Sequence, residues 1–175
     1  MYQPAQTSRR HGRAFETRAA RFLRGGLGLT RPDVARLDAR NAATLRTLRP
    51  QNRPSALEAQ TVAEGLWADP HGTLVWVECS GTPCAASKPG LQRSDSMRKI
   101  AGTLNTVHHL CRFWSVDPPR IVLVTSHPPL TGSSSAEYLR WAVVEPYGPN
   151  NVDLYELDPN GVARRLALPA DTAFS

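Results

Sequence analysis

The sequence TVAEGLWADPHGTLVWVECS, residues 61–80, contains the clearest local structure in the chain. Two β-rich runs flank the turn sequence DPHG at residues 69–72, and this combination predicts a β-hairpin. If the hairpin is symmetric about His71, Glu78 lies opposite Glu64. Both carboxylates then lie on the same face, because side chains alternate between faces along a strand.

Two opposed glutamates require a compensating charge. Opposed residues have Cβ atoms about 4.5–5.5 Å apart, and like charges at that distance are destabilising. A half-buried pair costs more unless one acid is protonated or a cation lies between them. Leu66 and Trp76 share the face with the glutamates, and oxygen ligands suit Mg²⁺ or Mn²⁺. The pairing therefore predicts either a divalent-metal site or a solvated face of the sheet.

The rest of the chain reads as alternating helices and strands, assigned from apolar periodicity and turn residues. In chain order these are helices over 13–24 and 34–48, a helix beginning at Ser94 and a strand over 120–126. They are followed by a strand over 139–144, or else a helix over 136–144, and by a second hairpin over 152–168. This order predicts an α/β fold with a mixed β-sheet and a helix crossing over between strands. The length suits one domain over 13–175, preceded by a basic N-terminal arm over 1–12.

The charge is distributed unevenly along the chain. The net charge is +6, yet residues 1–53 hold twelve arginines against three acids. Such asymmetry indicates a polyanionic partner, with nucleic acid the first candidate; a solvated basic face or arm is the alternative. The sequence contains no apolar run long enough for a membrane span and no apolar segment typical of a secretory signal. The three cysteines do not form a disulfide framework, so we expect a cytoplasmic protein.

Four segments together resemble the PD-(D/E)XK nuclease superfamily, which has the restriction-endonuclease-like fold. They are the helix RAFETRAARFL with Glu16, the hairpin with Glu64 and Glu78, the helix SDSMRKIAGTLNTVHHLC and the strand RIVLVTS. The resemblance covers about residues 13–126, with the motif core at about 60–126. It implies a restriction-endonuclease-like mixed β-sheet core flanked by helices and an Mg²⁺- or Mn²⁺-dependent endonuclease that hydrolyses DNA phosphodiester bonds.

The same resemblance implies the roles of individual residues. Glu64 and Glu78 would hold the metal, and Glu16 would support the metal or its water. Two positions depart from the family pattern. The first acid is glutamate rather than aspartate, with Asp69 as a substitute, and Ser80 occupies the position of the family's lysine.

Some family members carry the lysine on the following helix, where this chain has Lys99; Lys88 in the preceding loop is a further candidate. On a helical wheel, Lys99 lies away from the apolar stripe, so we expect its side chain to point towards solvent. If neither lysine serves, the protein is a catalytically weak or inactive nucleic-acid-binding protein on the same fold. DNA is the expected partner, RNA is not excluded, and a homodimer would suit the cutting of two strands. The expected phosphate contacts are Arg9, Arg10, Arg13, Lys88, Arg93 and Arg98.

Overall fold

The computed structural model describes residues 4–50, 62–81 and 90–169, with side chains described from residue 13 onward. The helices are α1 (Pro4–Gly25), α2 (Ala39–Leu48), α3 (Ser94–Phe113), α4 (Ser134–Leu139) and α5 (Glu145–Tyr147). The strands are β1 (Gly65–Ala68), β2 (Leu74–Ser80), β3 (Arg120–Thr125), β4 (Val152–Leu157) and β5 (Ala163–Leu166). In the described part of the chain, no helix combines the length and apolar character needed to cross a bilayer.

The strands form one mixed sheet in the order β1-β2-β3-β4-β5. The outer pairs β1–β2 and β4–β5 are antiparallel hairpins, and the inner pairs β2–β3 and β3–β4 are parallel. The parallel pair β2–β3 is connected through α3, as a parallel connection requires. The predicted α/β class with a mixed sheet flanked by helices is confirmed, whereas the restriction-endonuclease-like assignment stays a prediction.

Both faces of the sheet are covered. On one face Trp76 and Leu123 pack in a core that includes Met97 and Leu104 of α3. On the other face a second core contains Val77 and the apolar stripe of α1. Burial on both faces explains why β2 and β3 are nearly continuous apolar runs rather than alternating ones.

Helix α1 meets the sheet at the carboxyl end of β2. A Cβ atom added at Gly81 would lie 2.1 Å from the ring of Phe15, so the helix packs directly on this glycine. Phe15 is buried and precedes Glu16, so the same contact brings Glu16 to the end of β2. The absence of a side chain at position 81 therefore sets how closely α1 approaches the hairpin acids.

The hairpin has the register expected from the sequence. Leu66 pairs with Trp76, and Gly65 pairs with Val77, which is the pairing symmetric about His71. The turn is closed by the Asp69 side chain, whose Oδ1 accepts hydrogen bonds from the backbone N–H groups of His71 at 2.9 Å and Thr73 at 2.8 Å.

Asp69 therefore closes the turn, at the end of the hairpin far from Glu78. This position argues against Asp69 as a substitute first acid, because its Oδ1 accepts hydrogen bonds from the turn backbone.

Two predicted helices have different bounds in the structure. α1 begins at Pro4, so most of the stretch predicted as a loose arm is helical backbone. Its first turns lack the apolar stripe on which the prediction depended. The predicted second helix divides into a 3₁₀ turn, Val34–Arg36, and α2, because Asp33 and Asp38 each cap a separate helix start.

The strand predicted over 139–144 is wrong, and this segment is helical. It continues α4 as a π-helical stretch, Arg140–Val144, which leads into α5. The Ser133 side chain caps α4 by accepting a hydrogen bond from the N–H of Ala136 at 3.3 Å. Leu139 and Val143 pack in the core on the α3 face, a spacing of four residues that a helix and not a strand places on one side.

Candidate active site

Glu78 lies near the carboxyl end of β2, on the face covered by α3, and is only 7 % exposed. Its Oε1 accepts a hydrogen bond from the indole Nε1 of Trp76 at 2.9 Å. The two residues are two positions apart on one strand, so alternation places both side chains on the same face. The fully buried Trp76 thus holds the Glu78 carboxylate in one orientation.

Glu64 lies one residue before β1, at the position that continues the register towards Glu78. Its Oε1 accepts a hydrogen bond from the backbone N–H of Cys79 at 3.4 Å. The first carboxylate therefore reaches across to the strand that carries the second.

The surroundings of Glu78 shift its ionisation. The pKa of Glu78 is raised to about 7, mainly by burial and in smaller part by the charge of Glu64. The hydrogen bond from Trp76 and the charge of Lys99 act in the opposite direction. Glu78 is therefore expected to gain or lose its proton near neutral pH.

Glu16 and Lys99 approach this pair from the helices on opposite faces of the sheet. Glu16 on α1 is half-buried; burial raises the pKa of its carboxyl, while the charges of Arg13 and Lys99 lower it. Lys99 on α3 is exposed, as the helical wheel predicts, yet its charge lowers the pKa of both Glu16 and Glu78. The charge of Lys99 therefore acts on both Glu16 and Glu78, and the charge of Glu64 acts on Glu78.

The Cys79 thiol is affected by three of the same residues. Its pKa is raised well above the ordinary value by burial, and the charges of Glu64, Glu78 and Glu16 each raise it further. Its side chain packs with the α1 core, on the face opposite Glu78. The thiol stays protonated, which excludes it as a nucleophile at neutral pH.

The carboxylates suit a small hard cation of the magnesium type. Among the described residues, no group of three or more His, Cys, Asp or Glu side chains is arranged to hold a metal ion. Mg²⁺ in proteins is often bound through one or two carboxylates and keeps several waters. Glu64 and Glu78 fit that donor set, and a cation would offset both the burial of the Glu78 charge and the smaller repulsion from Glu64 that raise the pKa of Glu78.

The structure describes the side chains of three of the six residues predicted to contact phosphates, namely Arg13, Arg93 and Arg98. Arg13 is exposed on α1. Arg93 forms an exposed ion pair with Asp95 at 2.7 Å, and the guanidinium carbon of Arg98 lies 5.8 Å from the centre of the Tyr138 ring. The side chains of Arg9 and Arg10 and all of Lys88 lie outside the described residues.

Arg31 is a site residue that the sequence did not reveal. Its guanidinium donates hydrogen bonds to the backbone carbonyl oxygens of Val62 and Leu66, each at 3.2 Å, and of Glu64 at 3.4 Å. It also lies 4.2 Å from the centre of the Trp67 ring. Arg31 thus holds the segment that carries Glu64, although the two are more than thirty residues apart in the sequence.

The residue before Arg31 also contacts β1. Thr30 and Ala68 exchange two backbone N–H···O hydrogen bonds, each of 2.9 Å, as an isolated antiparallel bridge. This bridge and the Arg31 guanidinium together lie along the edge of β1 that faces away from β2.

We expect Arg31→Ala to lower the free energy of unfolding by about 1–2 kcal/mol, through the loss of charged hydrogen bonds and of the cation–π contact. The Glu64 segment then loses its contacts along the outer edge of β1, so Glu64 is less firmly positioned and its contribution to the raised pKa of Glu78 becomes smaller. Urea unfolding and NMR titration of ¹³C-labelled glutamate carboxyls measure the two effects.

The matched control is Arg24→Ala. The Arg24 guanidinium lies over the same Trp67 ring at 5.7 Å, but within the described residues it has no bond to the 62–66 carbonyls. This variant is expected to leave the titration of Glu78 unchanged. A Glu78 pKa that is the same in both variants and in the wild type would contradict the role given to Arg31.

Comparisons of the chain with protein-family models, with curated proteins and with solved structures gave no match. The resemblance to the PD-(D/E)XK superfamily therefore depends on this chain's own residues, and membership of the family stays a prediction.

Proposed function

We propose that the protein is a divalent-metal-dependent endonuclease that hydrolyses DNA phosphodiester bonds. The observation that carries the proposal is the buried Glu78 carboxylate, whose pKa is raised to about 7 beside Glu64 and within reach of the Lys99 charge. A strongly perturbed acid with specific charged neighbours is typical of a functional site.

The residues have distinct roles in this proposal. Glu64 and Glu78 would hold Mg²⁺ or Mn²⁺, which would polarise the scissile phosphate and lower the pKa of a bound water. Glu16, with its raised pKa, would accept a proton from or orient the attacking water. Lys99 would place its ammonium beside the scissile phosphate, while the arginines of residues 1–53 attract the DNA backbone.

The proposal is tested by incubating the purified protein with supercoiled plasmid, linear duplex, branched DNA, single-stranded DNA and RNA. We expect nicking in Mg²⁺ or Mn²⁺ that EDTA stops. Failure to cut any substrate in either metal would reject the enzymatic function.

Lys99 has a separate expected effect on the rate. Lys99→Ala should slow cleavage by about tenfold to a hundredfold, because it removes a positive charge that stabilises the developing phosphate charge. Lys99→Arg should retain most of the rate, since the charge is kept. Stability should hardly change in either variant, because the side chain is exposed. Equal cleavage rates for all three proteins would exclude Lys99 from the reaction.

Ser80 favours a second candidate function, a catalytically weak or inactive nucleic-acid-binding protein on the same fold. Serine cannot supply the cation that the family places two residues after the second acid. This candidate predicts tight, salt-sensitive DNA binding without product in the cleavage assay. A metal-dependent product that disappears in Glu78→Ala would exclude it.

A further inference from the structure

An aromatic pair lies where α4 continues into the π-helical stretch, with the Trp141 ring exposed and the Tyr138 ring partly buried against the core. The ring centres of Tyr138 and Trp141 are 5.1 Å apart, with an angle of 38° between the ring planes. Trp141 is 48 % exposed, whereas Trp67 and Trp76 are fully buried. π-Helical turns are rare and are frequently found at functional sites.

This pair lies beside the first turns of α3. The Ser135 hydroxyl on α4 donates a hydrogen bond to the carbonyl oxygen of Gln92, just before α3, at 3.3 Å. The guanidinium carbon of Arg98 lies 5.8 Å from the centre of the Tyr138 ring. Arg98 directly precedes Lys99, so the aromatic pair flanks the helix end that carries the candidate catalytic lysine. We call Arg98, Tyr138 and Trp141 the aromatic platform.

The chemistry of the aromatic platform specifies its partner. An exposed indole offers a flat face for stacking, and an adjacent exposed arginine offers a cation for a phosphate. The neighbouring Arg140 is engaged with Glu145 at 3.0 Å, which leaves Arg98 as the platform's cation. Unpaired nucleotides combine both features, whereas the bases of an intact duplex are stacked inside and cannot reach a surface tryptophan.

We propose that the aromatic platform stacks an unpaired base of single-stranded DNA on Trp141, while Arg98 binds an adjacent phosphate. The choice of DNA as partner rests on the proposed nuclease function. The platform narrows the substrate to DNA that presents a single-stranded segment next to the scissile bond.

A second exposed aromatic pair serves as a matched control. Phe113 and Trp114, at the other end of α3, are 70 % and 63 % exposed, and their rings meet edge to face at 86°. Trp114 lies sixteen residues after Arg98, which places it about 24 Å away along the helix axis. Loss of Trp114 therefore removes an even more exposed indole that is remote from Lys99.

The test uses the full chain in EDTA, so that binding is measured without cleavage. The probes are a fluorescein-labelled thymidine oligonucleotide of about 15 nucleotides and a duplex of the same length, read by fluorescence anisotropy. Trp141→Ala should weaken single-strand binding about tenfold and leave duplex binding within about twofold. Trp141→Phe should restore most of the affinity for the single strand, and Trp114→Ala should bind it like the wild type. Arg98→Ala should lower this affinity and make it less sensitive to the salt concentration.

Several results would overturn the proposal. The first is an equal loss of affinity for the single strand and the duplex in Trp141→Ala. The second is a larger loss of single-strand affinity in Trp114→Ala than in Trp141→Ala. The third is no binding of single strands by the wild type. Binding that depends on Trp141 in a protein that cuts nothing in Mg²⁺ would reject the nuclease function and support the platform. Cleavage that is unaffected by Trp141→Ala, with unchanged single-strand affinity, would reject the platform and leave the nuclease function standing.

Discussion

Glu78→Gln is expected to lower the rate of metal-dependent DNA cleavage about a thousandfold or more. The substitution keeps the size of the side chain but removes the negative charge that a cation needs. Metal ions contribute several kcal/mol of transition-state stabilisation, and each 1.4 kcal/mol corresponds to about a factor of ten in rate. Single-turnover cleavage of plasmid at saturating Mg²⁺ measures the effect.

Two further variants test whether the loss of cleavage is specific to the glutamate pair. Glu137→Gln, an exposed glutamate on α4, is the matched control and should cut like the wild type. Glu64→Gln should also lose cleavage, because Glu64 is the second carboxylate of the proposed metal site and its charge acts on Glu78. If Glu78→Gln cut at the wild-type rate, the site would have to be elsewhere on the molecule.

The same substitution is expected to stabilise the metal-free protein at alkaline pH. The pKa of Glu78 is about 7 in the folded state and near the ordinary 4.5 when unfolded, so the folded state binds the proton more tightly. The stability that this proton contributes is fully present below about pH 4.5 and is lost as the pH rises through 7. Above pH 8, ionised Glu78 therefore costs the wild type about 3 kcal/mol that Glu78→Gln does not lose.

Urea unfolding in EDTA at pH 5 and pH 8 measures this difference. We expect the variant to exceed the wild type in stability by about 3 kcal/mol at pH 8 and by less than about 1 kcal/mol at pH 5. Mg²⁺ should stabilise the wild type at pH 8 and have little effect on the variant, since a ligand stabilises only the state that binds it. Parallel stability curves for the two proteins would show that Glu78 ionises normally.

The hairpin could be predicted in detail because its information is local. The turn residues, the strand composition and the alternation of faces all lie within residues 61–80, and together they specify the pairing of Leu66 with Trp76. The alternative of a wet sheet face does not hold at Glu78, which is buried under α3. The strand predicted over 139–144 failed because a short apolar run fits a buried helix equally well.

The helical and long-range parts of the site were less accessible from sequence. A helical wheel gives the direction of Lys99 around its axis, but not the position of α3 above the end of β2, and that position determines which carboxylates its charge reaches. Arg31 gave no signal at all, because its contacts with the 62–66 segment depend on how Thr30 pairs with Ala68. Trp76, by contrast, could have been assigned as the donor to Glu78 from their two-residue spacing.

The contact of Thr30 and Arg31 with β1 also limits how copies of this chain could associate. Unpaired strand edges are the usual route by which sheets of separate chains join. On the β1 side, the bridge at Ala68 and the Arg31 guanidinium already use backbone groups that an incoming strand would need. The described contacts therefore oppose the addition of a strand from another copy at the β1 edge, beside the hairpin that carries the two glutamates.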